Sequence, residues 1–160
     1  MTKSWRAIGG GRFDDDLAID ALWPAGEFGP VRSRRFGYRM LLDLRNWSER
    51  RTYFSGFYFQ QDLERLYPMI VRRGDQYLDI GANIGIYTYF LRRYSSEVHA
   101  YEPNPELARR LQGLFDKVVV HNAACSDQKG NLILRIPVQN KRPQHELASV
   151  SQNFEDERDV

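Results

Sequence analysis

The stretch YLDIGANIGIYTYF, Tyr77 to Phe90, constrains this chain more than any other. A short apolar run carries an acid, Asp79, near its end. A turn containing Gly81 and Gly85 follows, and then Ile84, Tyr87 and Leu91 recur at helical spacing. A strand that passes through glycines directly into a helix is the opening of a βαβ unit, with parallel strands and a right-handed crossover. The text downstream repeats the alternation. EVHAYE is a second strand. NPELARRLQGLF starts as a helix should, with Asn104 as N-cap, Pro105 at the first helical position and Glu106 near the positive end of the dipole. Leu107, Leu111 and Leu114 supply its buried stripe, and KVVVHNAA is a third strand. Strand-helix-strand-helix-strand at this spacing is one half of a doubly wound α/β sheet.

Upstream the periodicity is different. GYRMLLDL sets Tyr38, Met40, Leu42 and Leu44 on one side of an extended strand, and TYFSGFYF does the same with Tyr53, Ser55, Phe57 and Phe59. With polar RNWSER between them, the two runs predict an antiparallel hairpin. DLERLYPMIVRR then places Leu63, Leu66, Tyr67 and Ile70 at helical spacing, and Pro68 predicts a kink or a break. The Arg-Gly-Asp tripeptide that follows sits at a helix-to-strand turn, which is reason enough for its glycine. Residues 1–35, with GGG and WPAGEFGP, read as a poorly structured leader. LILRIPV, with Leu132, Leu134, Ile136 and Val138 alternating, predicts a further strand, and residues 151–160 read as a polar tail. Open α/β sheets of this kind normally have more strands, so residues 36–150 are expected to form the N-terminal part of a larger domain.

With 160 residues the chain has room for one domain with a real core. Its formal net charge of +2 gives no reason to expect a nucleic acid partner. Between Val31 and Arg51, however, seven arginines accompany two acids. Such a patch attracts an anionic substrate or a membrane surface, although charge runs are more commonly a solvated face. Cys125 is the single cysteine, so no intramolecular disulfide forms. At the end of an apolar run it is expected to be a buried, inert thiol. No apolar h-region opens the chain and no apolar stretch approaches a membrane span, so a soluble cytoplasmic protein is expected.

Ligands of open α/β sheets bind beyond the carboxyl ends of the strands, at the first strand-to-helix turn. Here that turn is Gly81-Ala82-Asn83-Ile84-Gly85. The dinucleotide fingerprint needs glycine at positions 83 and 86, where this chain has Asn83 and Ile86. The missing middle glycine is the one that lets backbone touch a pyrophosphate, and no Gly-Lys-Ser/Thr completes a phosphate-binding P-loop. S-adenosylmethionine (SAM) makes different demands, having adenosine without phosphate, an amino acid end and a sulfonium. Asp79 at the end of the first strand suits its cationic side. Gly81 and Gly85 let the methionine part lie over the turn. Glu102, about 20 residues after Gly81, is placed to accept both ribose hydroxyls as in dinucleotide sites. Each acid alone is as readily a cap or a solvated strand end; the pair flanking a glycine turn favours the cofactor.

Three ordered segments carry a resemblance: YLDIGANIGIYT (Tyr77 to Thr88), YEPNP (Tyr101 to Pro105) and HNAACSDQKGN (His121 to Asn131). Together they resemble the FkbM-type methyltransferases, a branch of the class I SAM-dependent enzymes, over about Gly37 to Val150. The resemblance implies an α/β fold: an incomplete Rossmann-like class I methyltransferase sheet with a βαβαβ core, preceded by the antiparallel β-hairpin and a helix. It also implies SAM as cofactor. Asp79, Gly81, Ala82, Asn83 and Gly85 would line its methionine end and Glu102 its ribose. Asn122 and Ala123 would lie near the adenine, and Thr88 is a weaker candidate that caps or packs. Members of that family continue with a strand resembling IKIDVEGxE, which this sequence lacks, so its acceptor side has no visible residues.

Methyl transfer is an in-line displacement that asks the protein for alignment and a base or desolvation. It requires no metal, and His99, His121 and His145 show no ligand spacing. His121, beside the site strand, is a conceivable base, although a lone strand histidine is more often packed or solvated. No catalytic residue is assigned. The family resemblance implies O-methylation of a hydroxyl on a small molecule or sugar. Two alternatives stand beside it: a nicotinamide-dependent oxidoreductase, disfavoured by Asn83 and Ile86, and a cofactor-binding remnant without activity.

Overall fold

Residues 29–32, 39–55, 61–95, 97–139 and 142–150 are described by the computed structural model of this chain. Of the expected leader, 1–35, only residues 29–32 are described, and the expected tail, 151–160, lies outside the described residues. The chain divides into two compact units, Met1–Phe59 and Gln60–Val160.

In the first unit, β1 (Gly29–Arg32) pairs antiparallel with β2 (Arg39–Leu42), Gly29 opposite Leu42 and Arg32 opposite Arg39. An antiparallel pair is therefore present, but its second member is not the expected run from residue 53. That part of the sequence enters helix α1 (Trp47–Ser55) instead, and residues 56–60 lie outside the described set. The physical reason is a cap hidden inside RNWSER. Asn46 Oδ1 accepts the amides of Ser48 (3.0 Å) and Glu49 (3.2 Å), and the Glu49 carboxylate reaches back to the Asp43 amide at 2.7 Å. A capped helix start outweighs a weak alternation. The arginine run is correspondingly not all solvated face. Arg50 is buried, with Nη1 donating to the Leu44 carbonyl at 3.3 Å.

The second unit opens with α2 (Gln61–Ile70), which runs on through Pro68. The expected apolar stripe is only partly inward. Tyr67 stacks on Phe90 with ring centroids 6.0 Å apart, whereas Leu66 and Ile70 are exposed. Then come β3 (Gln76–Ile80), α3 (Ile86–Tyr94), β4 (Glu97–Tyr101), α4 (Pro105–Leu114) and β5 (Val118–His121). The strands pair in parallel in the order β3-β4-β5, with Asp79 level with Ala100 and Ala100 level with Val120. This is the expected βαβαβ core of an incomplete Rossmann-like α/β sheet.

One face of that sheet is a core. Ala82, Ala100, Leu111 and Phe115 form one cluster, and Val71, Leu91 and Val98 a second, with Val118 packed against both. The α4 start matches its sequence, since Asn104 Oδ1 accepts the Glu106 amide at 3.0 Å. Alternation sends Leu78, Ile80, His99, Tyr101, Val119 and His121 to the opposite face. There Leu78 is 60% exposed and Ile80 63%.

After β5 the expected strand over Leu132–Val138 is replaced by an extended segment without a ladder. It is tied by one bridge, Arg135 to Ser149, and by a two-residue antiparallel pair, β6 (Val138–Gln139) with β7 (Arg142–Pro143). Alternation alone gives no partner, and Pro137 removes a donor from the run. Leu132 and Ile133 remain exposed. A 3-10 turn, His145–Leu147, follows.

Candidate cofactor site

The site grows out of the place where the sheet's hydrogen bonds overrun its strands. The Tyr101 carbonyl accepts the amides of both Gly81 (2.9 Å) and Ala82 (3.0 Å), and the Glu102 amide donates to the His121 carbonyl at 3.0 Å. The chain leaving β3 is thus fixed before it turns. Gly81 (φ 78°), Asn83 (φ 49°) and Gly85 (φ 86°) are all left-handed, a conformation that glycine adopts freely and asparagine tolerates best among the rest. At Gly85 space is decisive as well. A Cβ there would lie 2.5 Å from Leu111 Cδ2 and 2.8 Å from Phe115 Cε2, so this glycine lets α3 start against α4.

Two carboxylates organise the turn. Asp79 is buried and accepts the Thr88 hydroxyl at 2.5 Å. Burial pushes its carboxyl above the usual range, partly opposed by the hydrogen bonds from the Thr88 side chain and amide. Glu102 is only 5% exposed. Its Oε2 accepts the Asn83 amide at 2.7 Å and its Oε1 the Asn104 amide at 2.8 Å. Burial raises this carboxyl too, against the pull of those two amides and of His145. Asn122 Nδ2 donates to the carbonyls of Glu102 (2.9 Å) and Pro103 (3.0 Å), tying the end of β5 to the end of β4.

Beside Glu102 opens a cleft of about 250 Å³, lined by Gly81, Asn83, Pro103 and Ala123 from the strand ends and by Leu134 and His145 from the return segment. Clefts for whole drug-sized ligands run from about 300 to 1,000 Å³, and this one is somewhat smaller.

No family model matches the chain, and no curated protein matches it. Solved structures align with part of it, among them the following two. Trm5b from Pyrococcus abyssi is 22% identical with a TM-score of 0.41, over 53% of this chain and 25% of that one. The tRNA m1G37 methyltransferase of M. jannaschii is 18% identical with a TM-score of 0.39, over 54% and 27%. The aligned part of this chain thus spans about a quarter of each.

Of the nine residues singled out from the sequence, Gly81, Asn83, Glu102 and Ala123 meet at the cleft. The other five stand behind it. Ala82 packs in the core, Gly85 serves helix packing, Thr88 is wholly buried on Asp79, and Asn122 braces two strand ends. His121 is turned elsewhere. Its ring stacks on Tyr101 at 4.3 Å on the sheet's other face, with Nε2 3.0 Å from His99 Nδ1. Cys125 is a correction, because it is exposed at the cleft rather than buried. Beyond the ends of β4 and β5 there is no sheet to cover a side chain, so burial ends before the apolar run does. Pro103, Leu134 and His145 were missed. Pro103 sits inside the quoted YEPNP segment and was within reach; the other two arrive by a return of the chain that no local pattern announces.

Among the described residues no helix is long and apolar enough to cross a membrane.

Proposed function

We propose that the Gln60–Val160 unit binds SAM as the core of a class I methyltransferase of FkbM type, acting in the cytoplasm on a hydroxyl oxygen of a small molecule or sugar. The observation that carries this reading is the Glu102 carboxylate on the cleft wall, held by the Asn83 and Asn104 amides. Each oxygen accepts one backbone N–H and keeps a lone-pair direction for a ribose hydroxyl. The same contact places a negative charge against the middle amide of the turn. A dinucleotide would need that amide for its pyrophosphate, and a phosphate brought there would be repelled. An adenosine without phosphate is not.

SAM, when bound, supplies a methyl already activated by the sulfonium. The chain's own contribution is to hold and orient. The left-handed turn brings backbone at Gly81 and Asn83 against the ligand. Pro103 and Ala123 offer apolar walls to a base. Asp79, kept in one rotamer by Thr88 behind the turn, favours a cationic amino acid end through water when it is ionised. The FkbM resemblance directs the transfer to a hydroxyl oxygen, whose proton a base removes as the bond forms.

Titration calorimetry of the whole chain tests this. SAM and S-adenosylhomocysteine bind and NADH does not, and Glu102→Ala weakens SAM by about 10- to 100-fold, the range for a hydrogen bond to a charged group. NADH binding in place of SAM overturns the reading. Tight SAM binding with no transfer to any hydroxyl acceptor reduces it to a cofactor-binding unit.

A further inference from the structure

The 3-10 turn at residue 145 is bound to the strand ends by a contact whose chemistry is fixed from the other side. Asn104 Oδ1 is committed to the Glu106 amide as the helix cap, at 3.0 Å. The side-chain amide therefore cannot be the other way round, and Asn104 presents its NH2 group to His145 Nδ1, 2.9 Å away. An NH2 group only donates. When the ring is neutral Nδ1 accepts, which places the ring hydrogen on Nε2, and His145 is one of the residues that line the cleft.

The turn itself is anchored. Arg135 and Ser149 exchange two backbone hydrogen bonds at 2.9 and 3.0 Å, and the Gln144 amide donates to the Pro137 carbonyl at 2.8 Å. Of the polar side chains on the cleft wall, ionised Glu102 only accepts hydrogen bonds. Asn83, Cys125 and His145 are the ones that donate. A purine, however, presents ring nitrogens that only accept, next to an apolar plane. His145 is the donor whose orientation a second hydrogen bond fixes, and Pro103, Ala123 and Leu134 supply the apolar surroundings.

We infer that His145 is a specificity-determining residue that reads the base, its Nε2–H donating to a ring nitrogen of the adenine while Asn104 holds the imidazole in the required tautomer. This rests on the SAM reading above. It adds to that reading a base-discriminating side chain from the return segment.

The experiment measures binding of S-adenosylhomocysteine and its 1-deaza, 3-deaza and 7-deaza adenine analogues by calorimetry. In the unaltered chain, one deaza analogue binds about 5- to 20-fold more weakly than the parent, the effect of one lost hydrogen bond that leaves a donor unpaired. In His145→Phe the parent weakens by a similar factor and the analogue's penalty disappears. His145→Gln, which keeps an N–H donor on a side chain of similar reach, retains part of the penalty. Melting temperatures of all three proteins report whether the turn still folds. A deaza penalty that persists in His145→Phe, or no penalty for any analogue, overturns the inference while leaving SAM binding intact. If S-adenosylhomocysteine does not bind the unaltered chain, the functional reading fails, and this one with it.

Discussion

The two faces of the β3-β4-β5 sheet obey different rules. On one face Val98 and Ala100 are almost wholly removed from solvent under α3 and α4, with Leu111 and Phe115 packed on Ala100 and Val71 and Leu91 on Val98. On the other, Leu78, Ile80 and Val119 stand exposed between a row of polar groups. There Gln76 and His99 both hydrogen-bond the Glu97 carboxylate, and His99 meets His121. Those bonds, led by the one from His99, hold the Glu97 carboxyl below its usual range. Parallel sheets are ordinarily covered on both faces. The difference teaches where the site comes from. Gly85, Asp79, Thr88 and the Asn104 cap all belong to the helix-covered side, and of the open face only Ile80 reaches the cleft.

Substitutions separate the faces. The largest effect is expected from Leu111→Ala on the covered side, fully buried against Ala82, Ala100 and Phe115. It costs about 2–5 kcal/mol in urea unfolding, the range for a leucine cavity. A loss below 1 kcal/mol would mean that this face is not the core. A smaller and pH-dependent effect is expected from Asp79→Asn. Burial raises the folded carboxyl above its unfolded value, so its favourable contribution is complete below the unfolded value and is lost as pH rises through the folded one. Asparagine has no such dependence. The melting temperature of the variant relative to the original therefore climbs as pH rises from the ordinary value of 3.8. A flat difference across pH 3 to 8 would contradict the burial argument. The smallest effect belongs to the open face. Leu78→Thr shifts stability by no more than about 0.5 kcal/mol and lowers binding of a hydrophobic dye. A loss like that of Leu111→Ala would show Leu78 to be covered in solution.

Much of the covered side was legible in the sequence because its signals are local. The Asn104-Pro105-Glu106 start, the leucine stripe of α4 and the glycines of the turn each decide a conformation within a few residues. The misreadings share a cause. TYFSGFYF and LILRIPV both alternate, yet alternation says only that a strand would suit the residues: the described part of the first is helical, and the second has one bridge and ends in the two-residue β6 pair. Asn46 and Glu49 meanwhile form a helix cap inside a polar stretch that reads as a hairpin connection. Apolar β3 reads as buried on both faces, and only tertiary structure shows that one is open. His145 was equally invisible, since its place depends on a partner 41 residues away.

The double acceptance by the Tyr101 carbonyl has a consequence for how the site breathes. Because the amides of Gly81, Ala82 and Glu102 are rungs of the sheet, they exchange with deuterium only when the sheet itself opens. The turn at residue 145 is held by short local bonds and one bridge, so its amides exchange through smaller openings. The strand-end wall of the cleft is therefore as durable as the fold, while the wall that carries His145 rests on its own local bonds.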